Sequence, residues 1–164
     1  MKRQRLKPGP GQESVWDYPR PPRIEKSAKS IRVVFNNVVI AESGRTKRVL
    51  ETSHPPVYYI PPEDVKLEHL HPTDGASSCE WKGLASYFAV KVGEREADRA
   101  AWTYRDPTPE FEAIKDHIAF YPSKMDACFV GDEIVEAQPG DFYGGWITKD
   151  IVGPVKGATG TQGW

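Results

Sequence analysis

The sequence lacks the features that mark several large classes of protein. Its two cysteines, Cys79 and Cys128, are too few for a disulfide scaffold and do not have C-x-x-C spacing, so we expect a reducing, cytoplasmic location. No apolar run approaches the roughly 18 residues that span a bilayer, and the basic first residues lead into proline and glycine instead of an apolar leader. The sequence therefore predicts a soluble protein that is neither secreted nor bound to a membrane.

Aromatic residues, proline and glycine are plentiful. The 164 residues include five Trp, seven Tyr and six Phe beside 15 Pro and 14 Gly. Aromatic side chains favour strands, whereas proline and glycine interrupt helices and form turns. This composition predicts one loop-rich β domain and argues against a helical bundle.

Charge is spread unevenly along the chain. The net charge is −1, but residues 1–29 carry eight Lys and Arg against three Asp and Glu. This segment is also rich in proline, and we interpret it as an extended arm. Trp16 and Tyr18 are large for a free arm, so we expect them to dock on the body of the molecule or on a neighbouring copy, as in a homo-oligomer. No matching basic patch follows, so nucleic acid is not an expected partner.

Strand and turn signals follow one another from Ser30 onward. We predict a β domain at 30–147 and a Gly-rich tail at 148–164. Pro109 begins the only helix signal, with Thr108 as its N-cap. The fold class is all-β or β-dominated, α+β with one short helix, built from compact antiparallel sheets. The predicted strands lie at 31–40 (a hairpin turning at Asn36 and Asn37), 49–52, 57–60, 79–92 (a long central strand), 99–104, 117–121 and 128–135 (a hairpin turning at Gly131 and Asp132).

The run Cys79-Glu80-Trp81-Lys82-Gly83 carries two charges in a strand that is otherwise apolar on both faces. Charges on a central strand need a partner or a water-filled pocket. One interpretation is a Lys–Glu pair at a strand end with core aromatics behind it. The other is an aromatic-lined pocket whose cation holds an anionic or carbonyl-bearing ligand.

The second interpretation predicts a small-molecule site. Lys82 or Arg48 would hold the ligand anion, and Glu80 would orient Lys82. The pocket walls would be formed by Tyr58, Trp81, Tyr87, Trp102 and Tyr104.

Two alternatives remain beside ligand binding. The protein could be an enzyme on a small metabolite or nucleotide, of transferase or hydrolase type, with Lys82, Glu80 or Cys79 as acid, base or nucleophile. It could also be an assembly module that uses its N-terminal arm. His69 and His71 share a strand face without metal-site spacing, so we predict neither a metal site nor a cofactor.

Several motifs resemble one known family. They include His54-Pro55-Pro56-Val57-Tyr58-Tyr59-Ile60-Pro61-Pro62-Glu63-Asp64, Cys79-Glu80-Trp81-Lys82-Gly83, Ala101-Trp102-Thr103-Tyr104, Ile118-Ala119-Phe120-Tyr121-Pro122 and Phe142-Tyr143-Gly144-Gly145-Trp146. In that order they resemble domain-of-unknown-function family 427 over roughly residues 31–146. The arm resembles the extended N-terminal form of bacterial members.

The resemblance implies a compact sheet domain similar to the β-tent folds, some of which bind ligands in an aromatic cage or hold zinc in two C-x-x-C knuckles. This sequence has no such knuckle. The family also carries a nucleotidyltransferase label, but the chain shows no set of paired carboxylates with a phosphate-binding Gly/Ser element.

Overall fold

The computed structural model describes residues 5–140 and 142–164, so residues 1–4 of the predicted arm lie outside the described residues. The predicted β-dominated fold is confirmed. In the described part of the chain, no helix is long and apolar enough to cross a membrane. The strands are, in chain order, β1 (Glu13–Ser14), β2 (Arg23–Ser27), β3 (Ile31–Phe35), β4 (Val38–Ser43), β5 (Thr46–Leu50), β6 (Val57–Tyr59), β7 (Leu70–Cys79), β8 (Gly83–Val92), β9 (Arg95–Tyr104), β10 (Ala119–Phe120), β11 (Ala127–Val130), β12 (Glu133–Ile134), β13 (Glu136–Ala137), β14 (Trp146–Ile147) and β15 (Ile151–Val152).

Two four-stranded antiparallel sheets enclose the main core. Their strand orders are β10-β9-β8-β7 and β12-β11-β3-β4, and a three-stranded sheet, β2-β5-β6, lies beside them. Ile31 and Val33 of one sheet pack in the same buried cluster as Val90 and Phe120 of the other. The core therefore forms from the inner faces of both larger sheets.

Strands β8 and β9 carry the residues that matter most for function. Their register pairs Tyr87 with Trp102 and Ala85 with Tyr104. Since side chains alternate along a strand, these four point to one face, where they form a second buried cluster. Phe88 on the same strand packs instead in the main core. The predicted antiparallel pairing of these strands is confirmed.

The two predicted hairpins are also confirmed. Asn36 and Asn37 link β3 to β4 with φ values of 49° and 64°, the left-handed conformation that a two-residue turn requires and that Asn tolerates. Gly131 lies in the turn that links β11 to β12. The predicted helix is a short 3₁₀ segment, Pro109–Ile114. Thr108 does not cap it with its side chain, because its hydroxyl donates to the Trp81 carbonyl at 2.6 Å.

The prediction of one long strand at 79–92 is wrong. Cys79 ends β7 and pairs with Gly83 at the start of β8, so residues 80–82 form the turn of a hairpin. Gly83 has a φ of 111°, a conformation that other residues rarely adopt, and this allows the chain to reverse there. Residues 71–75 lie within β7, whose register shifts between Pro72 and Ala76.

The segment around Trp16 packs on its own chain. Glu13 pairs in parallel with Ile151, and the Trp16 indole donates to the Pro154 carbonyl at 2.9 Å. Val15, Trp16, Tyr18, Leu50 and Ile151 form a third buried cluster. The N-terminal and C-terminal segments therefore hold each other against β5. The domain boundaries and an assembly role for the arm remain predictions.

Candidate ligand-binding cavity

A cavity of about 270 Å³ lies over the face of β8 and β9 that carries Tyr87 and Trp102. Its other walls come from residues 51–57, from the β7–β8 turn and, in the C-terminal part of the chain, from Gln138 and residues 142–144. The sequence-predicted residues Cys79, Glu80, Trp81, Lys82, Tyr87, Trp102 and Tyr104 all line it. The structure thus brings together residues from three strands and one turn.

Arg48 and Tyr58 do not belong to this cavity, although the sequence predicted them in the pocket. Arg48 donates to Glu13 at 2.8 Å and to Glu25 at 2.6 Å, with its side chain 7% exposed. Tyr58 is buried in the main core, where its ring centroid lies 5.1 Å from that of Trp146. Both residues are paired across β5 and β6, and alternation directs them away from the face that carries Val49, Val57 and Tyr59.

The aromatic wall of the cavity is held in place by hydrogen bonds and close packing. The Trp102 indole donates to the Tyr59 hydroxyl at 3.2 Å, and its ring centroid lies 4.5 Å from that of Tyr121. The Tyr121 hydroxyl donates to the Phe142 carbonyl at 3.1 Å. A Cβ on Gly144 would lie 2.3 Å from Trp102, so only glycine lets the chain pass this close to the ring. The wall is therefore pre-formed.

Lys82 places a buried cation on this wall. The residue is 9% exposed, and its ammonium lies 5.9 Å from the Tyr104 ring centroid and 6.0 Å from that of Phe111. Burial acts to lower the pKa of Lys82, but Tyr59 and a hydrogen bond with Cys79 raise it, and the net direction is upward. Lys82 is therefore an ammonium ion at neutral pH.

Lys82 has no carboxylate beside it. Among the described residues, no Asp or Glu oxygen lies within 4.0 Å of its ammonium. Glu80 is exposed, so the structure does not place it where it would orient Lys82. Tyr59, Cys79 and the Glu51 carboxylate, which lies beyond 4.0 Å, favour the charged form, so the position directly beside the ammonium is left for an anionic ligand.

His54 supplies a second hydrogen-bond donor, and its tautomer follows from Gln138. The Gln138 side-chain oxygen accepts the Gly145 N–H at 3.1 Å, so its nitrogen donates to His54 Nδ1 at 3.1 Å and to the Lys156 carbonyl at 2.7 Å. The proton of a neutral His54 is therefore on Nε2, which lies 3.7 Å from Glu51.

The charge state of His54 follows from its surroundings. Burial, with the positive charges of Lys156, Arg20 and Lys82, lowers the pKa of His54 to about 4. The ring is neutral at physiological pH. It contributes an N–H donor to the cavity wall and no available base, because Nδ1 already accepts from Gln138.

Sequence reasoning missed several cavity residues. Glu51, Tyr121, Gln138 and Lys156 line the cavity, but they come from separate loops and from the Gly-rich C-terminal stretch. No local pattern marks them, since their proximity depends on how the C-terminal segment packs. His54 precedes Pro55 and Pro56, which indicate a loop, so no strand pattern places it on this wall.

The cavity does not resemble a metal or nucleotidyl-transfer centre. Within residues 5–140 and 142–164, no group of three His, Cys, Asp or Glu side chains is placed to hold a metal ion. The side chains with hydrogen-bond donors that line the cavity include Lys82, Lys156, His54 and Tyr59. Such a set suits an anion or a carbonyl oxygen.

Comparison with known proteins identifies one family. A family model described as a domain of unknown function, DUF427, matches residues 23–131, which is more than half of the chain. The matched region contains β2 to β11, and with them the wall of Trp81, Lys82, Tyr87, Trp102 and Tyr104. No curated protein matches the chain.

Proposed function

Because the chain belongs to the DUF427 family, whose description assigns no activity, we propose its function from the cavity: it binds a small anionic ligand that has an aromatic or other planar part. The observation that carries this proposal is Lys82. It is a buried ammonium ion on the wall of a pre-formed cavity, and no carboxylate among the described residues lies within 4.0 Å. An anion at this position would pair directly with a charge that no carboxylate of the described residues contacts.

The remaining walls define the shape of the ligand. Trp81 and Trp102 offer ring surfaces on which a planar group can stack. His54 Nε2–H and the Tyr59 hydroxyl add directed hydrogen bonds. A volume of about 270 Å³ limits the ligand to a small molecule. We therefore expect the anionic group beside Lys82 and the planar part against the tryptophans.

Phenyl phosphate and benzyl alcohol test this proposal, because they share a ring and differ in charge. We expect phenyl phosphate to quench tryptophan fluorescence and to raise the melting temperature of the wild-type protein. Lys82→Met should weaken phenyl phosphate binding by at least about tenfold, since it removes a charged hydrogen bond. Benzyl alcohol should bind both proteins equally.

Lys91→Met is the matched control, because Lys91 is an exposed lysine on the same strand, β8. It should bind phenyl phosphate as the wild type does. The proposal fails if phenyl phosphate at saturating concentrations changes neither fluorescence nor melting temperature, or if Lys82→Met binds it with unchanged affinity.

A second candidate function is nucleophilic catalysis by Cys79. Its position favours it, because Cys79 lines the same cavity as Lys82 and lies within reach of a bound ligand. If this is the function, Cys79 should react with iodoacetamide faster in the wild type than in Lys82→Met, and phenyl phosphate should protect it. Buried Cys128 provides the internal reference.

A further inference from the structure

Lys156 is a second cation on the wall of the cavity that contains Lys82. Its backbone is fixed at two points, because its N–H donates to the Ser53 carbonyl at 2.8 Å and its carbonyl accepts from the Gln138 side chain at 2.7 Å. Its ammonium lies 5.6 Å from the Tyr143 ring centroid. In the described part of the chain, no carboxylate lies within 4.0 Å of this ammonium. Lys156 is therefore held at the cavity without an ion pair.

The two lysines reach the cavity from different walls. Lys82 lies in the β7–β8 turn, whereas Lys156 belongs to the C-terminal segment and lies over Tyr143, whose ring centroid is 5.0 Å from that of His54. Burial is the main cause of the low pKa of His54, followed by positive charges that include Lys156 and Lys82. The neutral imidazole therefore lies within reach of the charge of both ammonium ions.

The acids at the cavity do not cancel these two cations. The Glu51 carboxylate lies 3.6 Å from the Arg20 guanidinium, so Glu51 already has a cationic partner. It favours the charged form of Lys82 from beyond 4.0 Å. Glu80 is exposed, and solvent screens its charge. Two ammonium ions are therefore left to which ligand groups can bind directly.

We propose that the ligand of this cavity is a planar dianion with two separate anionic groups, such as an aromatic dicarboxylate. One group pairs with Lys82 and the other with Lys156, while the ring between them stacks on a tryptophan of the wall. A monoanion would pair with one lysine and leave the other without a partner. This inference rests on the proposed function and adds the second anionic group to it.

The second group is selected by a part of the chain that the family model does not match. The match ends at residue 131, so it includes Lys82 but not Gln138, Tyr143 or Lys156. We therefore assign Lys156 as a determinant of ligand specificity that the C-terminal segment of this chain supplies.

Calorimetric titration with terephthalate and monomethyl terephthalate tests the inference. Both compounds have a ring of the same size, but the second carries one carboxylate as an uncharged ester. We expect the wild-type protein to bind terephthalate at least about tenfold more tightly, since the ester has lost one charged hydrogen-bonding group. If the two compounds bind equally, or if terephthalate gives neither heat nor a shift in melting temperature at millimolar concentration, the inference is wrong.

Variants of Lys156 test where the second group binds. Lys156→Met and Lys156→Gln should each weaken terephthalate binding by about tenfold. They should change the affinity for monomethyl terephthalate by no more than about twofold, because its carboxylate can still pair with Lys82. The melting temperatures of the free variants show whether each one folds, and the two replacements differ in polarity, so the result does not depend on a single substitution.

Lys149→Met is the matched control, because Lys149 is an exposed lysine of the same C-terminal segment and does not line the cavity. It should bind terephthalate as the wild type does. If both Lys156 variants bind terephthalate with wild-type affinity, Lys156 does not hold the second group and the inference is wrong.

Phenyl phosphate separates this inference from the proposed function, because it offers one anionic group. The Lys156 variants should bind it with nearly wild-type affinity, whereas Lys82→Met should not. If phenyl phosphate binding depends on Lys82 but terephthalate is not preferred over its monoester, the inference fails and the proposed function stands. If Lys82→Met binds both phenyl phosphate and terephthalate with unchanged affinity, both fail.

Discussion

Arg48 and Lys82 are both buried cations, but the chain compensates their charges in different ways. Arg48 forms two ion pairs, with Glu13 at 2.8 Å and with Glu25 at 2.6 Å. Burial acts to lower the pKa of Arg48, but these hydrogen bonds outweigh it and raise that pKa. Lys82 lines an open cavity without a carboxylate within 4.0 Å among the described residues.

The difference separates a structural charge from one that is available to a ligand. Arg48 joins β5 to β1 and β2, so its ion pairs fasten the N-terminal segment to the sheet. A buried cation whose ion pairs are complete gains little free energy from binding a further anion. Lys82 is available to a ligand, because no carboxylate among the described residues lies within 4.0 Å of its ammonium and Glu51 acts on it only from a greater distance.

Arg48→Met should have the largest effect on stability. The substitution leaves Glu13 and Glu25 facing each other without the cation between them. We expect the free energy of unfolding to fall by about 2–3 kcal/mol, less than for a fully buried pair because both carboxylates are more than a third exposed. Urea unfolding at pH 7 measures this change.

Arg45→Met is the control for Arg48. Arg45 also pairs with a carboxylate, Asp64, at 2.9 Å, but its side chain is 62% exposed. Solvent screens such a pair, so its removal should leave the urea midpoint close to that of the wild type. Equal midpoints for the two variants would mean that the Arg48 ion pairs do not stabilise the fold.

His54 should make the cavity side of the molecule sensitive to mild acid. Its pKa is about 4 in the folded protein and 6.5 as the ordinary value, so below pH 6.5 the unfolded chain binds the proton first. The contribution of neutral His54 to the free energy of unfolding is therefore complete above pH 6.5 and is lost as the pH falls towards 4. The loss between pH 7 and pH 5 should be about 1–2 kcal/mol. Urea unfolding across this range measures the loss.

His54→Gln should remove most of this slope, whereas His71→Gln, at an exposed position, should keep it. The ion pair of Glu13 with Arg48 should lose its contribution to the free energy of unfolding at a lower pH than His54 does. Burial acts to raise the pKa of Glu13, but hydrogen bonds from Arg48 and Tyr18 lower it below its ordinary value of 4.5, so the contribution of Glu13 to stability is lost only as the pH falls below that value. A slope between pH 7 and pH 5 that is unchanged in His54→Gln would contradict the assignment.

Lys82→Met should have the smallest effect on stability. Methionine is similar in size, and no carboxylate within 4.0 Å in the described structure would be left without a partner. We expect the free energy of unfolding to change by less than about 1 kcal/mol, clearly less than for Arg48→Met. A loss comparable to that of Arg48→Met, measured by the same urea titration, would show that Lys82 is a structural charge.

Local patterns predicted the fold well where local geometry decides it. The Asn36-Asn37 hairpin was predictable because two left-handed residues between apolar runs have few other uses. The pairing of β8 with β9 followed from a turn between two strand-forming runs. The turn at residues 80–82 was missed, because Trp81 and the apolar residues that follow Gly83 suit a strand and only the φ of Gly83 shows the break.

The candidate site was predictable in part for a related reason. Trp81, Lys82, Tyr87, Trp102 and Tyr104 lie on one hairpin system, so alternation and register bring them together. Arg48 was misplaced because its partners, Glu13 and Glu25, are distant in the sequence, and no local pattern distinguishes a paired arginine from a ligand-binding one.

The sequence by itself determined a β-dominated chain, its main hairpins and the strand face on which Tyr87, Trp102 and Tyr104 lie. These properties depend on alternation, turn chemistry and composition, which act over a few residues. Only the tertiary structure decided which cation is paired and which faces a cavity. That choice depends on contacts such as Arg48 with Glu13 and Gln138 with His54, which join residues far apart in the chain.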